Sequence, residues 1–129
     1  MSDQEQSAVL TQLAEMAELP AGWDSYDADP ISSTALALAR DLVDKAPEPP
    51  DHIAPLADGG VLLGWRGIMI GIEVEAKPEG TYTYMVTDLP PRSRAYETLQ
   101  DLSLKTIVHM LRGFIRRRDY WRRIRRCRA

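Results

Sequence analysis

The stretch GWDSYDADPIS, residues 22–32, decides how the rest of the chain is arranged. It combines two large aromatic side chains, Trp23 and Tyr26, with three aspartates. Aromatic side chains favour burial whereas carboxylates require water or partners, so this composition indicates a specifically folded connector. Apolar residues at helical spacing lie on both sides of it, in 3–18 and 33–46, and predict two N-terminal helices that the connector joins.

The connector supports a structural and a functional interpretation. In the structural one, Trp23 and Tyr26 fasten the helices to a sheet, and Asp24 and Asp29 accept backbone N–H groups in turns. In the functional one, exposed Trp23 and Tyr26 form a binding site for a partner. Asp24, Asp27 and Asp29 could also hold a divalent cation, but the glycine and final glutamate of a calcium loop are missing. We therefore predict no metal site and no cofactor.

Beyond a proline-rich segment at residues 46–50, the apolar pattern changes from helical spacing to alternation. Alternating apolar residues predict strands at 52–56, 61–66, 68–75 and 81–87. Short glycine-containing turns between them favour an antiparallel meander of three or four strands. Residues 93–100 are predicted to begin a helix, and 101–126 is the longest helical pattern. The predicted class is α+β: two N-terminal helices, this meander, and a long C-terminal helix with a basic end.

The charge of the chain is divided unevenly along its length. Residues 1–111 hold seven Lys or Arg and eighteen Asp or Glu, a net charge of −11. Residues 112–129 hold nine Arg and one Asp, a net charge of +8. We therefore predict an acidic α+β domain over 1–111 and an arginine-rich helical tail over 112–129. A tail of this charge favours an anionic surface.

The arginine-rich tail is the main candidate site. Arginine side chains match phosphate geometry, and aromatic rings among them can stack on bases. The candidate contacts to nucleic acid or a partner are Arg116, Arg117, Arg118, Trp121, Arg122, Arg123, Arg125, Arg126 and Arg128. Because Trp121 and Ile124 extend the apolar stripe of the helix into this segment, docking on an acidic protein, on another copy or on the chain's own body are alternatives. Membrane contact is not expected.

Motifs of catalysis are missing from the sequence. It has no nucleophile elbow and no phosphate-binding loop, and its two histidines, His52 and His109, lie in unlike contexts. We therefore do not expect an enzyme. The single cysteine, Cys127, excludes an internal disulfide, and no apolar run is long enough to span a bilayer. With an acidic, polar N-terminus unlike a signal peptide, the sequence predicts a cytoplasmic protein.

Two motifs carry a resemblance to a known group. GWDSYDADPI (22–31) fits the pattern G-W-D-[GS]-Y-x-A-x-P-[IV], and DGGVLLGW (58–65) fits D-G-G-V-x-x-x-W. In this order they resemble a group of small uncharacterised bacterial proteins that often lie in mobile or defence-related regions. The resemblance covers residues 17–75 and implies an antitoxin-like, immunity-like or inhibitor role. It implies nothing about the arginine-rich tail, which lies outside it.

The sequence thus predicts a small non-enzymatic binding protein of antitoxin, immunity or inhibitor type. Its acidic body would bind a protein partner, and its basic C-terminal helix would contact nucleic acid. One alternative is an assembly protein, in which the basic helix docks on an acidic body, including that of a second copy. Another is a metal-dependent hydrolase that uses the aspartates of the connector.

Overall fold

The computed structural model describes residues 3–89, 92 and 94–128, with the side chain of Arg128 left out. The helices are α1 (Asp3–Met16), α2 (Ser33–Lys45) and α3 (Leu104–Arg128). The strands are β1 (His52–Pro55), β2 (Val61–Arg66), β3 (Ile70–Ala76), β4 (Tyr82–Asp88) and β5 (Ala95–Leu102). The predicted α+β class, the antiparallel meander and the long C-terminal helix are confirmed.

The sheet has five strands in the order β1 to β5, each antiparallel to the next. The prediction of three or four strands is wrong because β5 occupies most of 93–100, where we expected a helix to begin (residue 93 lies outside the described residues). Glu97 and Leu99 favour a helix by local propensity. Pairing with the free edge of β4 outweighs that preference, because it satisfies the backbone groups of both strands.

One face of the sheet forms the core with all three helices. Alternate residues of the middle strands point to this face and are buried, namely Val61, Leu63, Trp65, Ile72, Val74, Ala76, Tyr82 and Tyr84. α2 packs on β2 and β3, α1 packs on α2 and reaches β1, and α3 packs on β4 and α2. Burying each large apolar side chain contributes about 1.5–3 kcal/mol, so this layer is the main source of stability.

The connector at residues 22–32 folds back on itself. Asp24 Oδ1 accepts hydrogen bonds from the backbone N–H groups of Tyr26 at 2.8 Å and Ala28 at 3.3 Å. The N–H of Gly22 donates to the carbonyl of Ala28 at 2.7 Å, which closes the loop. The predicted turn-forming role of an aspartate is therefore confirmed for Asp24.

The connector is also tied to the turn between β1 and β2. The N–H groups of Asp29 and Ser32 donate to the carbonyls of Ala57 at 2.9 Å and Gly59 at 2.8 Å. Gly59 has a φ of +89°, and a Cβ there would lie 3.1 Å from the carbonyl oxygen of Pro30. Glycine is therefore required at this close approach. The connector and the β1–β2 turn thus form one structural unit.

Candidate interface on the C-terminal helix

The first half of α3 is fixed to the core. Ser103 precedes the helix, and its Oγ accepts a hydrogen bond from the N–H of Thr106 at 3.3 Å, as an N-cap residue does. Ile107 and Leu111 are fully buried, and Phe114 is almost so. Their three- and four-residue spacing places them on one face of the helix. This face holds α3 against β4 and α2.

Arg118 fixes α3 at the point where the helix leaves the core. Its side chain is only 6% exposed, and its guanidinium binds both carboxylate oxygens of Glu48, with Nη1 to Oε2 at 2.9 Å. Nε donates to Asp119 Oδ1 at 3.1 Å, and Nη1 donates to the carbonyl of Arg66 at 3.4 Å. Hydrogen bonding to Glu48 is the main cause that raises the pKa of Arg118 above its ordinary value. Arg118 is therefore a permanently charged anchor.

Glu48 connects the helix to the sheet. Its carboxylate binds Arg118, while its backbone carbonyl accepts a hydrogen bond from Nε1 of Trp65 at 3.1 Å. Trp65 lies on β2 and is almost completely buried. The proline-rich segment is thus held between β2 and α3, and it sets the direction in which the end of α3 extends.

The structure divides the predicted contact residues of α3 into two groups. Arg118 is buried and fully engaged, so it is not a surface contact. The exposed members are Arg116, Arg117, Trp121, Arg122, Arg123, Arg125 and Arg126. The side chain of Arg128 lies outside the described residues. Because α3 is continuous and its buried contacts reach Arg118, the predicted boundary between residues 111 and 112 falls inside a packed helix.

We call residues 119–128 the arginine helix end. Its side chains up to Cys127 are exposed except that of Ile124, which is half-buried. Among the described residues, Arg122, Arg123 and Arg126 take part in no ion pair. A helix of this length extends about 15 Å at 1.5 Å per residue. The arginine helix end is therefore a preformed cationic rod attached to the body.

A second surface lies between α3 and the β2–β3 turn, residues 67–69, and we call it the turn groove. It has a volume of about 680 Å³. Buried Phe114 and half-buried Ile68 form its floor, and its lining also includes the exposed Arg117 and Arg125 and the buried Arg118. Its main lining residues are Ile68, Met69, Phe114, Arg117, Trp121 and Arg125. Met69, at the tip of the turn, is 81% exposed, and Trp121 is 55% exposed. Apolar side chains this exposed are typical of contact surfaces.

Gly67 allows the turn to approach the helix closely. A Cβ at this position would lie 2.8 Å from Cζ of Phe114 and 2.6 Å from the carbonyl oxygen of Ile70. Real side-chain carbons do not approach this closely, so only glycine fits without movement of the turn. Gly67 therefore determines the width of the turn groove.

The exposure of Met69 differs from the expectation that residues 68–75 form one strand. β3 begins at Ile70, and the two preceding residues belong to the turn. One feature of the sequence could have indicated the exposure of Met69. Ile68, Met69 and Ile70 are three consecutive apolar residues between two glycines, and in a turn this short they cannot all be buried.

The structure separates the two aromatic residues of the connector. Trp23 is half-buried against the core, and its Nε1 donates to the carbonyl of Asp29 at 2.9 Å. Tyr26 is 83% exposed. The structural interpretation is therefore confirmed for Trp23 and wrong for Tyr26, whose ring fastens nothing to the sheet. Tyr26 remains available as a contact residue.

The carboxylates of the connector do not assemble a metal site. Across residues 3–89, 92 and 94–128, no three His, Cys, Asp or Glu side chains are placed to hold an ion together. Asp24 instead binds backbone N–H groups.

Within residues 3–89, 92 and 94–128, no helix has the length and apolar character needed to cross a bilayer.

Comparison with protein-family models, curated proteins and solved structures found no match to this chain.

Proposed function

We propose that this protein is a small binding protein that contacts the phosphate backbone of nucleic acid through the arginine helix end. The observation that carries the proposal is the exposure of Arg122, Arg123 and Arg126 on a helix anchored at Arg118. Arginine donates paired hydrogen bonds to phosphate. Neutralising phosphates also releases condensed counterions, which contributes much of the affinity for nucleic acid.

The form of the site supports a helical mode of contact. An α-helix fits the major groove of duplex DNA, and a helix that is already fixed loses less conformational freedom on binding than a disordered tail. Tyr120 and Trp121 are both about half exposed beside the arginines, with ring centroids 5.6 Å apart. Rings in this position could also stack on unpaired bases, so we include single-stranded probes in the test.

The resemblance of residues 17–75 to small uncharacterised bacterial proteins adds a biological setting. It implies an antitoxin, immunity or inhibitor role, in which the acidic body binds a protein partner. This role stays a prediction. It is compatible with nucleic-acid binding because residues 119–128 lie outside the two motifs of the resemblance, 22–31 and 58–65.

The test is the affinity of purified protein for a DNA duplex, an RNA duplex and a single strand of each, measured by fluorescence anisotropy. The triple variant Arg122→Ala, Arg123→Ala, Arg126→Ala removes three exposed cations from the helix end. We expect it to lose at least about tenfold in affinity, uniformly across sequences, because phosphate contacts carry no base information. Comparison of the four probes identifies the nucleic-acid class.

A matched control removes the same charge from the body. Arg40, Lys45 and Lys105 are exposed basic residues of α2 and the start of α3. If the position of the arginines, and not the net charge of the protein, determines binding, the triple alanine variant of these residues should bind nucleic acid within about twofold of the wild-type affinity. Equal losses in the two triple variants, or no binding to any probe, would contradict the proposal.

A further inference from the structure

The connector presents Tyr26 as an exposed aromatic side chain on a hydrogen-bonded loop. The backbone N–H of Tyr26 is bound by Asp24 at 2.8 Å, and the loop around it is closed by the bond from Gly22 to Ala28. The ring itself is 83% exposed, although a tyrosine buries 150–250 Å² when it packs. An exposed ring of this size resembles the protruding side chain of a protein interface, and we call the ring of Tyr26 the knob.

The surroundings of this ring are acidic, whereas those of the turn groove are basic. The exposed residues Asp27 and Asp29 follow Tyr26, and Lys77, at the same end of the sheet, is already paired with Asp58 and Glu75. In the turn groove the apolar floor is flanked by Arg117 and Arg125, which form no ion pair with the described residues. The knob and the groove are therefore complementary in charge.

The two surfaces lie at opposite ends of the sheet. The connector is bonded to the β1–β2 turn, at Ala57 and Gly59, whereas the groove is built on the β2–β3 turn, at residues 67–69. β2 separates these turns, and a strand of its length spans about 20 Å. Tyr26 therefore cannot fill the groove of its own chain.

We propose that Tyr26 of one copy of this chain inserts into the turn groove of a second copy, with Asp27 and Asp29 facing Arg117 and Arg125. Because the two surfaces differ and lie at opposite ends, the contact is head-to-tail and can be repeated along a row of copies. Nucleic-acid binding by the arginine helix end is not needed for this contact. The two proposals can therefore fail separately.

A second copy fits the groove better than the other anionic ligands do. A nucleic-acid duplex offers phosphate charge but keeps its bases stacked inside, so it brings no apolar ring to the floor formed by Ile68 and Phe114. A lipid surface is flat and would meet Met69 at the rim without filling the space behind it. A single inserted ring makes a small interface, so we expect weak association, on the order of 1 µM to 1 mM.

Sedimentation velocity over a range of concentrations tests this inference without nucleic acid present. Tyr26→Ser removes the knob, and Met69→Glu places a negative charge in the groove that repels Asp27 and Asp29 of the other copy. Both side chains are more than four-fifths exposed, so neither change should unfold the protein, which circular dichroism can verify. The wild type should associate as its concentration rises, and each variant should associate at least tenfold more weakly.

Mixing the two variants gives the decisive result. The Tyr26→Ser protein keeps an intact groove and the Met69→Glu protein keeps an intact knob, so together they can form one contact and no more. We expect a 1:1 dimer in the mixture that neither variant forms alone. A monomeric mixture, association unchanged by either variant, or a wild type that stays monomeric throughout would overturn the inference. Association that appears only with anionic vesicles or oligonucleotides added would assign the groove to those ligands instead.

Discussion

At the scale of single residues, the run Arg116–Arg118 contains arginines with two different roles. Arg118 anchors α3 to the body, whereas Arg116 and Arg117 are exposed. In the sequence, Arg116, Arg117 and Arg118 are equivalent. In the structure only Arg118 is buried, because it falls on the face of α3 that continues from Leu111. Its partner Glu48 lies seventy residues earlier. Helical spacing could have placed Arg118 on the core face, but no local pattern identifies a partner so distant.

We predict that Arg118→Ala lowers the free energy of unfolding by about 3 kcal/mol. The change leaves Glu48 without its cation, and breaking a buried pair costs about 3–5 kcal/mol; partial exposure of Glu48 places this case at the lower end. Urea denaturation measures it. Arg117→Ala, next to it but exposed, is the control and should change stability by no more than about 0.5 kcal/mol. Equal effects of the two substitutions would show that Arg118 is not an anchor.

Tyr84 gives a prediction about alkaline pH. Burial raises the pKa of Tyr84 from 10.0 to about 12. Because the folded state holds this proton more tightly than the unfolded chain, its contribution is complete below pH 10 and is lost as the pH rises toward 12. Urea denaturation at a series of pH values should show stability falling in this window. In Tyr84→Phe the fall should be smaller, and an unchanged slope would contradict the assignment.

At the scale of elements, segments with a strong hydrophobic periodicity were predicted well. β5, which is defined by its pairing with β4, was not predicted. α1, α2 and the strands β2 and β4 lie close to their predicted positions because their apolar residues repeat at clear spacings. β5 was missed because all its side chains but that of Leu102 are exposed, so no buried face marks it in the sequence. The turn groove was missed for a related reason, since it depends on how closely the β2–β3 turn approaches α3.

Two glycines near α3 should respond to alanine in opposite directions. Gly67→Ala forces a Cβ against Phe114 and should destabilise the protein by about 1–3 kcal/mol, as overpacked sites do. Gly113→Ala lies within the helix, where a Cβ meets only the flexible end of Arg117 at 3.3 Å. It should stabilise the protein by about 0.5–1 kcal/mol through helix propensity. Thermal or urea unfolding measures both, and effects of the same sign would contradict this description of the turn.

At the scale of the whole molecule, the charge division predicted from the sequence remains the main functional signal. The sequence identified the basic segment but could not show where the core ends, because the same helix serves both parts. The structure adds that the anchor is at Arg118 and that the arginines beyond it are free of ion pairs among the described residues. The arginine helix end contributes Trp121 and Arg125 to the turn groove, so its two proposed contacts, with nucleic acid and with the connector of a second copy, share residues.

The salt dependence of binding tests the central proposal most directly. For a protein that neutralises phosphates, the logarithm of the binding constant falls linearly with the logarithm of salt concentration, with a slope set by the number of contacts. We predict a steep slope for the wild type with whichever nucleic acid binds most tightly. Its magnitude should decrease by about three in the variant lacking Arg122, Arg123 and Arg126, since each cation contributes about one. Binding that is independent of salt, or a slope that the variant leaves unchanged, would contradict the account.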